Sequence, residues 1–152
     1  KRFKIIKHKD LNLSNLKFSI HEIIILASII QAEAGSDAEM KKISSVFNNR
    51  LDKGWKLAAD PTVKYIISDK DRTLYPRDFK IDNPYNTYKY KGLPPGPINS
   101  PGLEALKAAV TPLTTDYLYF VANGTGYHTF SKTVQQHNKA KNEFKRRRKK
   151  KS

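Results

Sequence analysis

Apolar residues recur with helical spacing between residues 20 and 34. At about 100° per residue they form one stripe along a helix. The residues of this stripe are Ile23, Leu26 and Ile30. Ser19 and Glu22 have the spacing of a capping box, which predicts the first turn. Gly35 predicts that the helix ends there in a left-handed conformation.

A second amphipathic pattern follows at once. Residues 36–39 form another capping-box sequence, and Gly54 predicts the end of this helix near Lys53. The predicted inward positions are Met40, Ile43, Phe47 and Leu51. Because almost no loop separates the two predicted helices, we expect a tight αα corner with Glu33 at its elbow.

The middle of the chain predicts short helices around a long irregular stretch. Asp60 as N-cap and Pro61 at the first helical position predict a helix to about residue 68. Ser100 and Pro101 predict another helix, which ends near residue 110. Residues 69–100 lack periodicity, and irregular segments of that length in a compact domain are usually functional.

The last third of the chain contains the only firm strand pattern. Residues 117–121 and 127–130 are rich in aromatic residues and flank a turn with two glycines, which predicts a β-hairpin. A polar last helix is predicted to begin at Ser131 or Thr133. The predicted fold class is α+β, with a helical corner packed on a small antiparallel sheet that includes this C-terminal hairpin.

Glu33 is the residue whose position departs most from an amphipathic pattern. It projects within about 20° of Leu26 on the helical wheel, and so it points with the core face. Burial disfavours the charged form of a carboxylate and raises its pKa, which is how a general acid keeps its proton near neutral pH. The alternative is that Glu33 bends out to water or pairs with one of the many lysines.

Composition limits the chemistry that the chain can perform. Its 152 residues are enough for one domain with a real core. With no cysteine there is no thiolate ligand or nucleophile, and because the four histidines lack ligand spacing a zinc site is not expected. No apolar run has the length of a membrane span, and no signal peptide is present. Because the first residue is lysine, we expect a fragment of a longer protein.

The formal net charge of +15 is concentrated at the two ends of the chain. Residues 145–151 are seven consecutive cations, and five more lie in the first ten residues, whereas acids and bases nearly balance between these ends. Blocks of like charge are usually solvated. We therefore predict a basic connector over residues 1–17, one folded domain over 18–144, and a disordered basic tail over 145–152. The tail would hold polyanions loosely, and no nucleic-acid-binding motif accompanies it.

Three further groups of polar and aromatic residues are candidates for binding. Asn49 and Arg50 are polar on an otherwise packed helix, although they fit equally well as residues that face solvent on an amphipathic helix. Residues 85–88 alternate tyrosines with Asn86 and Thr87 before a proline-rich turn, a combination that suits a sugar but that packing also explains. His128 lies on the second predicted strand, where it is either a ligand or a satisfied strand histidine.

Seven short motifs occur together in one order. They cover residues 27–33, 46–51, 60–65, 85–88, 92–98, 117–121 and 128–130. In this order and spacing they resemble the endolytic murein transglycosylases, the YceG-like (MltG) family, over about residues 20–143. The resemblance is to the catalytic domain of that family, and the basic tail is not one of its features.

The resemblance implies a lyase that cuts peptidoglycan glycan strands between N-acetylmuramic acid and N-acetylglucosamine and leaves 1,6-anhydro ends. The catalytic glutamate of the family falls on Glu33, which would act without metal or cofactor. Our candidates for binding the sugar are Asn49, Asn86, Tyr88 and His128. We expect residues 69–100 and the αα corner to form opposite walls of a cleft, with Glu33, His128 and either Asn86 or Tyr88 within about one sugar unit.

The resemblance also implies a location and partners. The location is the extracytoplasmic face of the bacterial cytoplasmic membrane, through an N-terminal anchor helix that is missing from this chain. The partners would be glycan strands and the cell-wall synthesis machinery, whereas nucleic acid is not expected. The alternatives are a wall-binding module without turnover, a hydrolase with Asp60 or Asp82 as second carboxylate, and a basic nucleic-acid-binding protein.

Overall fold

The computed structural model describes residues 17–151 and the side chains of residues 17–149. Its helices are α1 (Ile20–Glu33), α2 (Met40–Asp52), α3 (Asp60–Ile66), α4 (Leu103–Val110) and α5 (Val134–Lys151). Two 3-10 turns, Asp37–Glu39 and Pro76–Lys80, and two strands, β1 (Tyr119–Ala122) and β2 (His128–Ser131), complete the described part. The predicted α+β class is confirmed. The predicted connector over residues 1–17 lies outside the described residues, apart from Lys17.

Helix α1 is the centre of the core. Ser19 and Glu22 form the predicted capping box at its start. The helix is buried on more than the one predicted stripe, since Ile25 and Ile29 are as inaccessible as Leu26. It packs against both α4 and α2, which also contact each other. This burial on several sides holds the C-terminal end of α1, and therefore Glu33, in a fixed position.

The end of α1 and the start of α2 differ from the prediction. Gly35 does not have a positive φ, because Ala34 ends the helix in an extended conformation. The glycine is needed for a different reason. A Cβ at position 35 would lie 2.6 Å from the carbonyl oxygen of Gly126, so there is no room for a side chain. The second capping box does not form, because the Glu39 carboxylate bonds to His128. Gly54, with φ +71°, ends α2 as predicted.

The middle of the chain follows the predicted order with shifted boundaries. Pro61 lies in the first turn of α3, but Ala59 is the N-cap, and the Asp60 carboxylate accepts a hydrogen bond from the Tyr88 hydroxyl instead. Residues 67–102 are irregular except for one 3-10 turn, which the bidentate ion pair of Arg72 with Asp78 (2.7 and 2.9 Å) stabilises. These contacts hold the long segment against α3 without regular secondary structure.

The predicted hairpin is present, and α5 packs on it. The strands pair antiparallel, with Tyr119 opposite Ser131 and Ala122 opposite His128. Helix α5 continues to Lys151, so residues 145–151 are helical where the sequence predicts a disordered tail. The Phe144 ring packs over Gly124 in the hairpin turn, and lysine and arginine favour helix. None of the described helices combines the length and apolarity needed to cross a bilayer.

Candidate functional site

Two cavities, each of about 610 Å³, share Glu33 and Asp60 in their walls. The first is also lined by Ala32, Pro61, Lys64, Tyr65, Lys70, Leu74, Ile98 and Asn99. The second is also lined by Phe47, Arg50, Ala58, Tyr88, Tyr119, Phe120, Val121, Ala122, His128, His137 and Lys141. Because the two cavities meet at these carboxylates, an extended molecule can pass Glu33 with parts bound on either side.

Glu33 is the last residue of α1, and its environment favours the protonated form. Its side chain is partly buried, and burial is the main cause that raises its pKa to about 8. The negative charge of Asp60 raises this pKa further, whereas the positive charge of Arg50 lowers it. Within residues 17–151 the carboxylate has no hydrogen-bond partner. Glu33 therefore keeps its proton at neutral pH and is free to donate it to a ligand.

Asp60 is held in the cleft by Tyr88. The Tyr88 hydroxyl donates a hydrogen bond to Asp60 Oδ1, and the tyrosine ring packs edge-on against Phe79 with 4.7 Å between ring centroids. Burial, followed by the contact with Asp60, raises the pKa of Tyr88 above its usual range. Tyr88 therefore remains a neutral donor, which fixes the position of the second carboxylate beside Glu33.

Arg50 supplies a positive charge at the same place. Its Nε donates to Leu118 O at 2.8 Å and its Nη1 donates to Leu57 O at 2.6 Å. The guanidinium also lies 5.5 Å from the ring centroid of Tyr119, within range of a cation–π interaction. Burial lowers the pKa of Arg50, and the neighbouring groups, among them Glu33, oppose this shift. These contacts fix a guanidinium whose charge acts on Glu33.

Ala58 forms part of the second cavity in an unusual backbone conformation. Its φ of +50° is in the left-handed region, which is rare for a residue with a side chain. Thr87 holds the conformation, because its carbonyl accepts from Ala58 N at 3.1 Å and its hydroxyl accepts from Ala59 N at 2.9 Å. Backbone strain of this kind persists where the surrounding contacts impose it, and it clusters at functional sites.

His128 lies in the second cavity and is bonded to a buried glutamate. Its Nδ1 lies 2.8 Å from Glu39 Oε1, and its backbone N–H donates to both oxygens of the same carboxylate at 3.1 Å. The sequence pattern does not single out Glu39, because residues 36–39 match a capping box. No local sequence signal indicates that its partner lies 89 residues further along the chain.

Tyr88 and His128 line the same cavity as Glu33, whereas Asn49 and Asn86 do not. Asn49 donates to the carbonyls of Thr115 and Tyr117, at 2.9 and 2.8 Å. Asn86 is fully buried and donates to Phe79 O and Ile81 O, at 3.1 and 2.9 Å. Both side-chain amides donate their hydrogen bonds to backbone carbonyls, and neither residue lines either cavity.

The predicted walls of the cleft are present. Residues 69–100 contribute Lys70, Leu74, Ile98 and Asn99 to the first cavity and Tyr88 to the second. The αα corner contributes Glu33, Phe47 and Arg50. Of the two proposed second carboxylates, Asp60 lies in the cleft, whereas Asp82 accepts from the Tyr90 hydroxyl at an exposed position outside both cavities.

Two residues of α5 outside the predicted site also line the second cavity. His137 and Lys141 are one helical turn apart on this otherwise polar helix, so they share one face. The His137 ring stacks on Tyr119 with 5.0 Å between centroids. The i, i+4 spacing is visible in the sequence, but only the docking of α5 on the hairpin gives that face a cleft to line.

Comparison with known proteins assigns this architecture to one family. The chain is 50% identical over 129 residues to an endolytic murein transglycosylase of Bacillus subtilis (strain 168), a match that covers 84% of the chain and 36% of the relative. It is 32% identical over 127 residues to an endolytic murein transglycosylase of Streptococcus pneumoniae (strain ATCC BAA-255 / R6), covering 78% of the chain and 23% of that relative. The chain thus spans well under half the length of these relatives.

A solved structure has the same fold. A YceG-like protein from Listeria monocytogenes, in a crystal structure at 2.6 Å, superposes with a TM-score of 0.75 and 46% sequence identity. The match covers 81% of this chain and 40% of that one. The model of the YceG-like family matches residues 1–143, which is nearly the whole sequence. The chain belongs to the YceG-like family.

Proposed function

We propose that this domain is a peptidoglycan lytic transglycosylase, which cleaves the bond between N-acetylmuramic acid and N-acetylglucosamine within glycan strands. The observation that carries the proposal is Glu33, a partly buried carboxyl group with its pKa raised to about 8, at the junction of two cavities. An enzyme that cuts inside a polymer needs binding space on both sides of its acid. The names of the relatives agree with this activity.

In the first step, Glu33 donates its proton to the glycosidic oxygen. The bond from this oxygen to C1 of the muramic acid breaks, and positive charge develops at C1 in an oxocarbenium-like transition state. The Asp60 carboxylate, held by Tyr88, stabilises this charge electrostatically. Burial of Glu33 serves this step because it keeps the acid protonated at neutral pH.

In the second step, the Glu33 carboxylate accepts the proton of the C6 hydroxyl. The C6 oxygen attacks C1 and closes the 1,6-anhydro ring, so no water enters the reaction. A carboxylate whose conjugate acid has a pKa near 8 is a stronger base than an ordinary one, which favours this transfer. One side chain therefore acts first as acid and then as base. Tyr88 and His128, which share its cavity, are the proposed contacts to the sugar.

We further infer that the substrate is the glycan strand on the outer side of the cytoplasmic membrane, where peptidoglycan lies. The parent protein would be held there by an anchor outside this chain and would act beside the cell-wall synthesis machinery. The relatives named as murein transglycosylases support a cell-wall location.

Conventional hydrolysis is a second candidate, because Asp60 lines both cavities together with Glu33. In that reaction Asp60 would activate water or attack C1 as the second carboxylate. The products separate the two reactions. Mass spectrometry of digested, purified peptidoglycan should find anhydromuramic ends for the lyase and reducing ends for the hydrolase. If no new ends of either kind appear, the domain is a wall-binding module without turnover.

The Glu33→Gln variant tests the role of the acid. Glutamine is nearly isosteric but cannot donate or regain a proton at the required strength, so we expect a loss of cleavage of at least about 100-fold. Release of soluble muropeptides measures the activity, and thermal unfolding checks the fold. Glu104→Gln, at an exposed position on α4, is the matched control. A folded Glu33→Gln protein with wild-type cleavage would eliminate Glu33 as the acid.

A further inference from the structure

The Glu39–His128 pair is a buried contact between two distant parts of the chain. Glu39 is 7% exposed, and its carboxylate receives both the backbone N–H and Nδ1 of His128. Nearby in the chain, Gly35 approaches the Gly126 carbonyl oxygen too closely for a side chain at position 35. The αα corner that carries Glu33 is thereby joined directly to the hairpin that carries His128.

The chemistry of the pair determines which ring nitrogen carries the proton. A carboxylate accepts hydrogen bonds and does not donate them, so the short contact to Glu39 requires a proton on Nδ1. In the neutral ring Nε2 then has a free lone pair and is an acceptor. The rings of Phe120 and Phe130, with centroids 5.4 and 6.2 Å from that of the histidine, pack around it and fix its plane.

The other ring nitrogen is free for a ligand. Within the described residues no protein group bonds to His128 Nε2, and this atom is not among the buried unpaired ones. His128 lines the cavity that contains Glu33. A lone acceptor of this kind suits a donor on the substrate, and a glycan strand of amino sugars offers acetamido N–H groups and hydroxyls.

We propose that Glu39 is a positioning residue that holds His128 in the Nδ1-protonated form, so that Nε2 accepts a hydrogen bond from an N–H or O–H group of the saccharide. The proposal rests on the glycan-cleaving function proposed above. It adds that His128 is the acceptor in one hydrogen bond with the substrate. Glu39 itself does not touch the substrate, and it acts through the tautomer and orientation of His128.

Nitrogen-15 NMR of the histidine rings tests the tautomer without any turnover. Long-range correlation spectra show which nitrogen of each neutral ring is protonated, and the loss of one set of signals in His128→Asn assigns His128. We expect the proton of the neutral His128 ring to lie on Nδ1. In Glu39→Gln the amide can also donate to Nδ1, so the Nε2-protonated form should appear, whereas Glu104→Gln should leave the spectrum unchanged. An Nε2-protonated or doubly protonated His128 in the wild-type protein would overturn the proposal.

Titration with a tetrasaccharide of alternating N-acetylglucosamine and N-acetylmuramic acid tests the contact itself. In the Glu33→Gln protein, which should bind without cutting, the His128 Nε2 resonance should shift on binding. If resonances of Tyr88 and Tyr119 respond while Nε2 does not, the saccharide contact is disproved. Absence of new glycan ends with the wild-type protein would instead count against the proposed function, and the tautomer result would stand independently.

Kinetics of His128→Asn provide the third measurement. The asparagine amide can replace Nδ1 as the donor to Glu39 but has no group at the place of Nε2. We expect kcat/KM to fall roughly threefold to tenfold, the effect of one lost hydrogen bond, with little change in Tm. His21→Asn, at an exposed position on α1, is the matched control. Unchanged kcat/KM in a folded His128→Asn protein would refute the substrate contact.

Discussion

Glu33 and Asp60 illustrate how two carboxylates in one cleft acquire different tasks. Burial dominates the raised pKa of Glu33, and the charge of Asp60 adds to it. Asp60 receives a hydrogen bond from Tyr88, whereas Glu33 has no such partner within residues 17–151. The carboxyl group without a donor keeps its proton, whereas the tyrosine hydroxyl holds the Asp60 carboxylate in place.

Asp60→Asn should therefore change the pH dependence of cleavage. Glu33 must be protonated to act as acid, so kcat/KM should fall as the pH rises through about 8. Removal of the Asp60 charge lowers the pKa of Glu33, and this alkaline decline should then begin at a lower pH. Burial, the larger cause, remains, so the decline should still lie above the ordinary glutamate range. Profiles of kcat/KM against pH measure the shift.

Asp82→Asn is the matched control for this prediction, because Asp82 also accepts from a tyrosine hydroxyl but lies outside both cavities. Its pH profile should coincide with that of the wild-type protein. An unchanged alkaline limb in Asp60→Asn would show that Asp60 does not influence the acid. Complete loss of cleavage, with reducing ends in the wild-type digest, would indicate that Asp60 is a hydrolytic second carboxylate.

At the scale of elements, the cleft depends on how the αα corner meets the hairpin. The contacts that join them include the backbone approach of Gly35 to Gly126 and the bonds from His128 to Glu39. The same corner ends α1 at Glu33 and begins α2, which carries Arg50. The geometry of the second cavity is therefore set by the fit between two elements that are far apart in sequence.

Gly35→Ala should disturb this fit. Its Cβ would meet the Gly126 carbonyl oxygen at 2.6 Å, and because this atom belongs to the backbone, the hairpin must move. We expect a loss of about 1–3 kcal/mol in the free energy of unfolding, typical of overpacking, and a fall in kcat/KM. Chemical denaturation and muropeptide release measure these two quantities.

Gly102→Ala is the control for Gly35→Ala. Its Cβ would approach only the end of the Gln31 side chain, at 3.1 Å, and a side chain can adjust more easily than a backbone carbonyl. This variant should be milder in both measurements. Equal stability and activity of Gly35→Ala and wild type would show that the corner and the hairpin tolerate separation.

At the scale of the whole molecule, the run of seven cations at residues 145–151 is separated from the site of chemistry. Residues 145–151 form the basic end of α5, beyond the Phe144 ring that packs on the hairpin turn. From this end, Arg147 Nη1 donates to Asn123 O at 2.6 Å in the exposed turn. The cavity-lining residues of the helix, His137 and Lys141, lie before this basic end.

Removal of residues 145–152 should therefore weaken binding to anionic polymers but leave cleavage intact. The deletion removes seven positive charges, so retention on a polyanion should decrease and become less dependent on salt. Turnover of a short glycan that carries few carboxylates should barely change at low salt. Column retention at several salt concentrations and muropeptide release measure the two effects. A truncated protein that no longer cleaves the short glycan would show that the basic end of α5 supports the site.

Sequence alone determined those features that depend on local order along the chain. The capping box of α1, the end of α2 at Gly54, the hairpin and the core-facing position of Glu33 follow from spacing within a few residues, which local physics governs. Other local expectations were not met, since Gly35 is not left-handed and residues 36–39 form no capping box. Helix α5 extends to Lys151, where contacts with the hairpin add to its helix propensity.

Tertiary structure alone decided which polar side chains face the cleft. In the sequence, Asn49 and Arg50 are neighbouring polar residues on one helix, but packing directs Asn49 to the backbone of residues 115–117 and leaves Arg50 beside Glu33. Likewise Glu39, which fits a capping box locally, is bound by His128 across 89 residues. The choice between a local and a distant hydrogen-bond partner depends on burial, because a buried polar group must be satisfied by whatever the fold brings to it. Periodicity predicts which face of an element is buried, and the assembled fold determines what that face meets.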